Sequence, residues 1–160
     1  MLDSDVAEVD VSIDQMRTQQ VFINLISNAI KFSKPLDKIL IKIEKPELID
    51  KKTNLCKFVF KVTDQGLGMN DYDRKNLFKP YFKSSCEKSR IANANSNGIG
   101  LSHCKKLAKC LGGDLTLSEA YRDGCQFIFE MKAALVDVQK RRKAKKKNKR
   151  RGKRESDSDS

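Results

Sequence analysis

The stretch Asn24-Leu-Ile-Ser-Asn28-Ala-Ile-Lys31-Phe32 decides the fold, because it combines helical periodicity with polar residues that helix interiors rarely carry. At about 100° per residue, Asn24, Asn28 and Lys31 fall on one narrow stripe. We predict that the broader apolar arc packs against a core; it comprises Phe22, Ile23, Leu25, Ile26, Ala29 and Ile30. The polar stripe is either a solvated face or a site where amide oxygen binds Mg²⁺ and ammonium binds phosphate.

Helix and strand patterns alternate around this stretch. We predict helices at 14–33 (with Asp14 as N-cap), about 71–78 and 101–111, and strands near 6–13 and at 39–44, 58–63, 115–118 and 125–131. Gly112-Gly113 ends the last helix, and Asp123-Gly124 supplies a hairpin turn. This order predicts an α+β fold, a two-layer α/β sandwich with helices on one face of a mixed, mostly antiparallel sheet.

The net charge of +12 belongs to one segment of the 160 residues. Residues 139–154 contain twelve Lys or Arg and no acid, and the rest of the chain has 21 basic and 21 acidic residues. We therefore predict a short lead-in at 1–13, a domain at 14–136 and a disordered basic tail at 137–160. The tail is interpreted as a contact for nucleic acid or acidic lipid, as a nuclear address, or as a solvated segment without a single partner.

Cysteine spacing and hydropathy exclude several protein classes. The five cysteines form no CxxC pair and the chain has one histidine, which argues against a zinc site. Scattered, odd-numbered cysteines suggest reduced thiols and an intracellular, cytoplasmic location. No apolar run reaches the roughly 20 residues of a membrane span, although a longer parent protein could still be membrane-attached.

Two glycine motifs flank a polar segment. Asp64-Gln-Gly66-Leu-Gly68-Met69 follows a strand, so its backbone could approach a flat ligand while the carboxylate accepts from an amine such as that of adenine. Ser96-Asn97-Gly98-Ile99-Gly100-Leu101 opens a helix, where free amides suit phosphate. Alone, the first motif is equally typical of a strand turn and the second of a hinge. The polar residues 83–97 suit a lid over a nucleotide.

In this order, and with Leu77-Phe-Lys-Pro-Tyr-Phe82 between the glycine motifs, the segments resemble the N, G1, F and G2 boxes of the histidine-kinase ATP-binding domain (HATPase_c). That domain has the Bergerat fold, which it shares with type II topoisomerases, mismatch-repair ATPases and a heat-shock chaperone. The resemblance covers about residues 10–133. Neither a P-loop nor a Rossmann motif is present.

The resemblance implies ATP and Mg²⁺ as cofactors and gives each motif a role. Asn28 would bind the metal, Lys31 would contact phosphate, and Asp64 would accept from the adenine amine. Phe78 and Phe82 would anchor the lid or fill core. The other cofactor-binding positions implied are Phe32 and Met69 near the base, Gly66 and Gly68 at the close approach, and Gly98, Ile99, Gly100 and Leu101 at the phosphates.

Position 24 separates kinase from hydrolase chemistry. In hydrolases of the superfamily this position resembles a water-activating glutamate, whereas Asn24 cannot act as a general base near neutral pH. Asn24 is therefore placed with Asn28 and Lys31 as a catalytic residue that favours phosphoryl transfer over hydrolysis. An ATP hydrolase of the topoisomerase or mismatch-repair type is the less favoured alternative.

We expect the catalytic domain of a sensor or hybrid histidine kinase in two-component phosphorelay signalling. His103 lies in the helix after the last motif and is predicted to be a surface residue, so the acceptor histidine belongs to another domain or chain. A downstream receiver domain would be a further partner. The alternative is a non-catalytic ATP-binding module whose basic tail binds an anionic partner.

Overall fold

The computed structural model describes residues 10–87 and 97–136. Within this part, the helices are α1 (Gln15–Phe32), α2 (Asp71–Asn76) and α3 (Gly100–Cys110). The strands are β1 (Val11–Ser12), β2 (Leu40–Ile43), β3 (Glu47–Asp50), β4 (Leu55–Thr63), β5 (Leu115–Leu117) and β6 (Gln126–Leu135). The predicted basic tail and most of the predicted lid lie outside the described residues.

Two long strands form the centre of a six-stranded sheet. β4 pairs with β6 along its whole length, from Leu55 opposite Ala134 to Thr63 opposite Gln126. The strand order is β1-β6-β4-β2, with β3 also paired to β4 and β5 also paired to β6. Every pairing among the described strands is antiparallel, which confirms the predicted mostly antiparallel sheet.

Side chains alternate between two faces of the sheet, as the period of two in a strand requires. The buried face is lined from β4 by Cys56, Phe58, Phe60 and Val62 and from β6 by Phe127, Phe129, Met131 and Ala133. α1 and α3 pack on this face. The opposite face is charged, with Lys57 Nζ 2.9 Å from Glu130 Oε1. The predicted two-layer arrangement therefore arises from one apolar and one polar sheet face.

α1 begins where the sequence predicts. The carboxylate of Asp14 accepts a hydrogen bond from the backbone N–H of Arg17 at 3.0 Å, so Asp14 is the N-cap. The second carboxylate oxygen lies 2.8 Å from the Arg17 guanidinium. This cap satisfies one of the N–H groups that a helix start leaves without an intrahelical partner.

The buried side of α1 differs from the predicted apolar arc. Thr18, Val21, Leu25 and Ala29 are buried, whereas Ile23 and Ile30 are 68% and 62% exposed. The assignment of Ile23 and Ile30 to the core was therefore wrong. Spacings of three and four residues from 18 to 29 define the stripe that contacts the sheet, and apolar residues extend beyond that stripe.

The segment between β2 and β4 contains a strand that the sequence analysis did not predict. Glu47–Asp50 forms β3 immediately after Pro46, and it pairs with the start of β4. Proline before an edge strand costs no ladder hydrogen bond, so it is compatible with this position. The pairing shifts register between Leu48 and Asp50, which makes β3 short and irregular.

α3 is held against β6 by a close approach of two backbones. A Cβ atom at Gly113 would lie 1.9 Å from the carbonyl oxygen of Glu130. Gly113 N–H donates to the Ala108 carbonyl at 3.0 Å, and Lys132 N–H donates to the Leu111 carbonyl at 2.9 Å. Only glycine fits at position 113, because a side chain there would collide with the β6 backbone at Glu130, which the sheet holds in place.

Within residues 10–87 and 97–136, none of the helices has the length and apolar character needed to cross a bilayer.

The buried and exposed sides of α1 predict mutational effects of very different size. Leu25→Ala, at a fully buried position, should lower the free energy of unfolding by about 2–5 kcal/mol, because it leaves a cavity against the sheet. Ile23→Ala is the matched control on the same helix and should change that free energy by no more than about 0.5 kcal/mol. Urea unfolding of the whole chain measures both; equal losses would contradict the observed orientation of α1.

Candidate functional site

A cavity of about 270 Å³ lies where α1, the end of β4, α2 and the start of α3 meet. Its walls contain twelve of the thirteen residues predicted for the site: Asn24, Asn28, Lys31, Phe32, Asp64, Gly68, Met69, Phe82, Gly98, Ile99, Gly100 and Leu101. Segments from four separate regions of the chain are therefore brought to one place.

The two asparagines of α1 form a hydrogen-bonded pair on the cavity wall. Asn28 Nδ2 donates to Asn24 Oδ1 at 3.1 Å. The Asn28 amide is therefore bonded to Asn24 through its nitrogen and not through its oxygen. A Cβ atom at Gly100 would lie 2.5 Å from Asn24 Nδ2, so the start of α3 approaches this pair closely. Glycine at position 100 therefore lets the two helices meet at the asparagine pair.

The last turn of α1 contributes a cation and an aromatic ring. Lys31 Nζ lies 5.8 Å from the centroid of the Phe32 ring, and both residues line the cavity. The Phe32 carbonyl accepts from the backbone N–H of Leu67 at 3.2 Å. This bond joins the end of α1 to the loop that follows β4.

Asp64 is the first residue after β4 and is 4% exposed. Its backbone N–H donates to the Cys125 carbonyl at 2.8 Å, which continues the β4–β6 ladder by one step. Asp64 Oδ1 accepts from the N–H groups of Gly66 at 3.0 Å and Cys125 at 3.1 Å. Among the described residues, no donor is hydrogen-bonded to Oδ2, so this carboxylate oxygen can accept from an amine in the cavity.

Burial raises the pKa of the Asp64 carboxyl, while the hydrogen bonds from Gly66 and Cys125 act in the opposite sense. The neighbouring Cys125 thiol also lines the cavity. Burial, together with the nearby Asp64 charge, raises the pKa of this thiol to about 12. A ligand in the cavity would therefore meet a carboxyl group and a protonated thiol side by side.

Gly66 is the one predicted site residue that does not line the cavity. A Cβ atom there would lie 2.4 Å from the Phe32 carbonyl oxygen, so its close approach is to the end of α1. Gly68, by contrast, lies in the cavity wall with a left-handed φ of +64°. Glycine is thus required at the two positions for different reasons: at position 66 by the close approach to the end of α1, and at position 68 by the left-handed backbone conformation.

Gly98 connects the start of α3 to the Phe78–Phe82 segment. It has φ of +66°, and a Cβ atom there would lie 2.6 Å from the Phe82 carbonyl oxygen. Phe82 lines the cavity, whereas Phe78 lies beneath Lys105, whose Nζ is 4.5 Å from the Phe78 ring centroid. Of the two phenylalanines, only Phe82 therefore forms part of the cavity wall.

Six cavity residues were not predicted: Asp73, Leu77, Ser84, Asn97, Cys125 and Phe127. Asp73 is 1% exposed, and its carboxylate accepts hydrogen bonds from Ser84 and Ser85. Burial raises the pKa of Asp73, but these hydrogen bonds outweigh burial and lower it overall. Leu77 and Asn97 lie within the quoted motif segments, and Ser84 lies within the predicted lid. The inward alternation of the predicted strand 125–131 covers Cys125 and Phe127, whereas Asp73 had no such signal.

Metal binding at this cavity would depend on an amide. Among residues 10–87 and 97–136, no three His, Cys, Asp or Glu side chains cluster in a way that could hold a metal ion. Asn28 lines the cavity, and an amide oxygen suits Mg²⁺, which usually keeps water and ligand phosphates in its coordination shell. The residues present fit a metal brought by a phosphate ligand.

His103, which the sequence predicted to be a surface residue, is exposed on α3.

Comparisons with known proteins agree on one domain type. Residues 13–135 match the family model described as histidine kinase-, DNA gyrase B- and HSP90-like ATPase. The peroxide stress-activated histidine kinase mak2 of Schizosaccharomyces pombe is 30% identical over 118 residues, 74% of this chain and 5% of mak2. The virulence sensor protein BvgS of Bordetella bronchiseptica is 30% identical over 138 residues, 86% of this chain and 11% of BvgS. The chain thus spans a small part of these relatives.

Solved structures share the fold. The catalytic domain of the histidine kinase ThkA aligns with a TM-score of 0.60 and 29% identity, covering 80% of this chain and 75% of that one. The mycobacterial sensor histidine kinase MprB aligns over 80% of this chain and 81% of its own, with a TM-score of 0.59 and 20% identity. These alignments confirm the predicted histidine-kinase-type ATPase fold.

The two buried aspartates predict opposite effects of the same substitution. The folded pKa of Asp64 is raised, so its ionisation opposes folding, and Asp64→Asn should increase the free energy of unfolding at pH 7. The folded pKa of Asp73 is lowered, so Asp73→Asn should decrease that free energy at pH 7. Both differences should shrink as the pH falls through the carboxyl range. Urea unfolding between pH 3 and pH 7 measures them, and effects of the same sign would refute the assignment.

Proposed function

Since the chain belongs to the family of histidine kinase-, DNA gyrase B- and HSP90-like ATPases, we propose that its cavity binds Mg-ATP. The γ-phosphoryl group of the bound ATP would be transferred to a histidine on another domain or chain. The observation that carries the proposal is that one cavity contains the Asn24–Asn28 pair and Asp64 Oδ2, which accepts no hydrogen bond from residues 10–87 and 97–136. The first suits a metal and phosphates, and the second suits a nucleobase amine.

The base end of the nucleotide is assigned to Asp64. Two backbone N–H groups hold Oδ1, so the carboxylate is fixed before a ligand arrives and Oδ2 is available to accept. The exocyclic amine of adenine is a donor, whereas guanine presents a carbonyl at the corresponding ring position. Met69 and Phe32 add apolar surface for a flat ring. This arrangement supports ATP over GTP.

The phosphate end is assigned to α1 and the start of α3. Lys31 supplies a positive charge, and the N–H groups near Gly98 and Gly100 open an eleven-residue helix whose N-terminal dipole favours anions. Mg²⁺, when bound, would neutralise charge that develops on the phosphates during transfer. Asn28 would hold that ion through its amide oxygen.

Transfer is proposed in preference to hydrolysis because the site offers no base at position 24. Asn24 is an amide, and its Oδ1 already accepts from Asn28. Its role in the proposal is to orient Asn28, which makes it a positioning residue. Catalysis would then rest on alignment of the nucleotide and on charge neutralisation, as phosphoryl transfer commonly does.

The acceptor and further partners are proposed to lie elsewhere. His103 is exposed on α3 and does not line the cavity, and the chain has no other histidine. The chain covers 5% of mak2 and 11% of BvgS, so relatives carry this domain within much longer proteins. A phosphoacceptor histidine domain and a downstream receiver domain are the proposed partners, in a cytoplasmic setting.

Calorimetric titration of ATP into the whole chain tests the site. Asp64→Asn should abolish measurable ATP binding with or without Mg²⁺, because its amide presents N–H to the adenine amine. Asn28→Ala should remove the increase in affinity that Mg²⁺ gives while retaining metal-free binding. Asp71→Asn is the matched control, since Asp71 pairs with Arg122 outside the cavity, and it should bind ATP as the wild type does.

Absence of ATP binding to a folded wild-type chain would refute the nucleotide assignment. Binding that Asp64→Asn leaves unchanged would place the base elsewhere.

Position 24 tests the choice between transfer and hydrolysis. With a phosphoacceptor histidine domain supplied, the wild type should form acid-labile phosphohistidine from labelled ATP, and it should release little free phosphate without the acceptor. Asn24→Glu should raise basal phosphate release by about tenfold or more, because a carboxylate can then activate water. Phosphate release that stays at the wild-type level in a variant that still binds ATP would remove the argument from position 24. ATP binding without any phosphohistidine would favour a non-catalytic module.

A further inference from the structure

Asp73 is a buried ionisable group on the cavity wall that the proposed chemistry does not use. It lies in α2, is 1% exposed, and keeps a lowered pKa despite burial. A carboxylate is an unfavourable neighbour for an anionic nucleotide unless other groups take up its charge. Its surroundings should therefore explain why it is tolerated there.

Both oxygens of this carboxylate are occupied by one short segment. Oδ1 accepts from the Ser85 backbone N–H at 3.0 Å and from the Ser85 hydroxyl at 2.8 Å. Oδ2 accepts from the Ser84 hydroxyl. The segment that follows Phe82 is thus tied to α2 through three hydrogen bonds to one charged group, and hydrogen bonds of this kind are stronger than neutral ones.

Asn70 completes the connection at the start of α2. Its Oδ1 accepts from the Asp73 backbone N–H at 2.7 Å and caps the helix. Its Nδ2 donates to the Ser85 hydroxyl at 2.8 Å. Asn70 and Asp73 therefore hold the same serine from two sides, which fixes the backbone at Ser85 relative to α2.

Ser84 connects this cluster to the cavity. It lines the cavity beside Asp73, and its hydroxyl covers the carboxylate oxygen that Ser85 does not reach. Loss of the Ser84 hydroxyl would leave a buried, charged oxygen without a donor at the wall of the site. That oxygen would repel the phosphates or draw water into the site.

We propose that Asp73 is a positioning residue of the nucleotide site: it places Ser84 and Ser85 as part of the cavity wall, and the two serines in turn shield its charge from the nucleotide. The inference rests on the proposed ATP site. It concerns affinity for the nucleotide, since Asp73 itself has no contact to make with ATP while both its oxygens are occupied.

Calorimetry of ATP with the whole chain tests this pairing through a double-mutant cycle. Ser84→Ala should raise the Kd for ATP about tenfold, the usual scale for an unpaired charged group. Ser84→Thr keeps a hydroxyl and should bind as the wild type does. Adding Asp73→Asn to Ser84→Ala should return the Kd to within about threefold of the wild type, because the unshielded charge is then gone while the amide oxygen of Asn can still accept from Ser85.

This rescue separates shielding of the Asp73 charge by Ser84 from a purely structural role. Since Asp73→Asn lowers stability at pH 7, a structural role predicts that the double variant binds more weakly than Ser84→Ala. Asp71→Asn, on the same helix and outside the cavity, is the control. An unchanged Kd in Ser84→Ala, or additive losses in the double variant, would overturn the inference and leave the ATP site intact. A folded wild type that does not bind ATP would overturn both.

Discussion

The antiparallel ladder between β4 and β6 is the interaction on which the rest of the structure depends. Its register places Phe60 opposite Phe129 on the buried face and ends with Asp64 beside Cys125. A slip of one residue in either strand would turn that strand's phenylalanine to the charged face, so hydrophobic burial specifies the register strongly. The same register brings Asp64 to the cavity, so sheet packing and ligand recognition depend on one constraint.

α1 shows how a single helix serves the core and the site together. Leu25 and Ala29 are buried against the sheet, and Asn24 and Asn28 lie next to them on the cavity wall. Asparagine weakens a helix, so the Asp14 cap and the packing of the buried stripe must offset that cost. Gly100 then lets α3 approach the amide pair without a clash. The site is thus held by elements that the core already fixes.

Local signals predicted the features that local chemistry determines. Asp14 caps α1, and Asp64 follows a strand whose alternation is plain in the sequence. The orientation of α1 was harder to predict, because apolar residues cover more than half of its circumference. Ile23 is exposed because a different apolar stripe of the helix packs against the sheet. Periodicity identifies an amphipathic helix, but it cannot choose among adjacent apolar stripes.

The roles of Gly66 and Asp73 could not be predicted for a different reason. Gly66 faces the carbonyl of Phe32, which is distant in sequence, and a glycine required for packing has the same local pattern as one required by a ligand. Asp73 resembles any acid in the first turn of a helix until Ser84 folds back onto it. Long-range contacts, which no local pattern encodes, decide both.

The thiol of Cys125 has a consequence for how the protein tolerates oxidants. Because burial and the nearby Asp64 charge raise its pKa to about 12, this thiol stays protonated near neutral pH. The thiolate is the form that reacts with peroxides and alkylating agents, so this sulfur is chemically quiet although it borders a ligand cavity. Burial beside Asp64 thus lets a cysteine stand where an ionised thiol would expose the cavity to irreversible chemical damage.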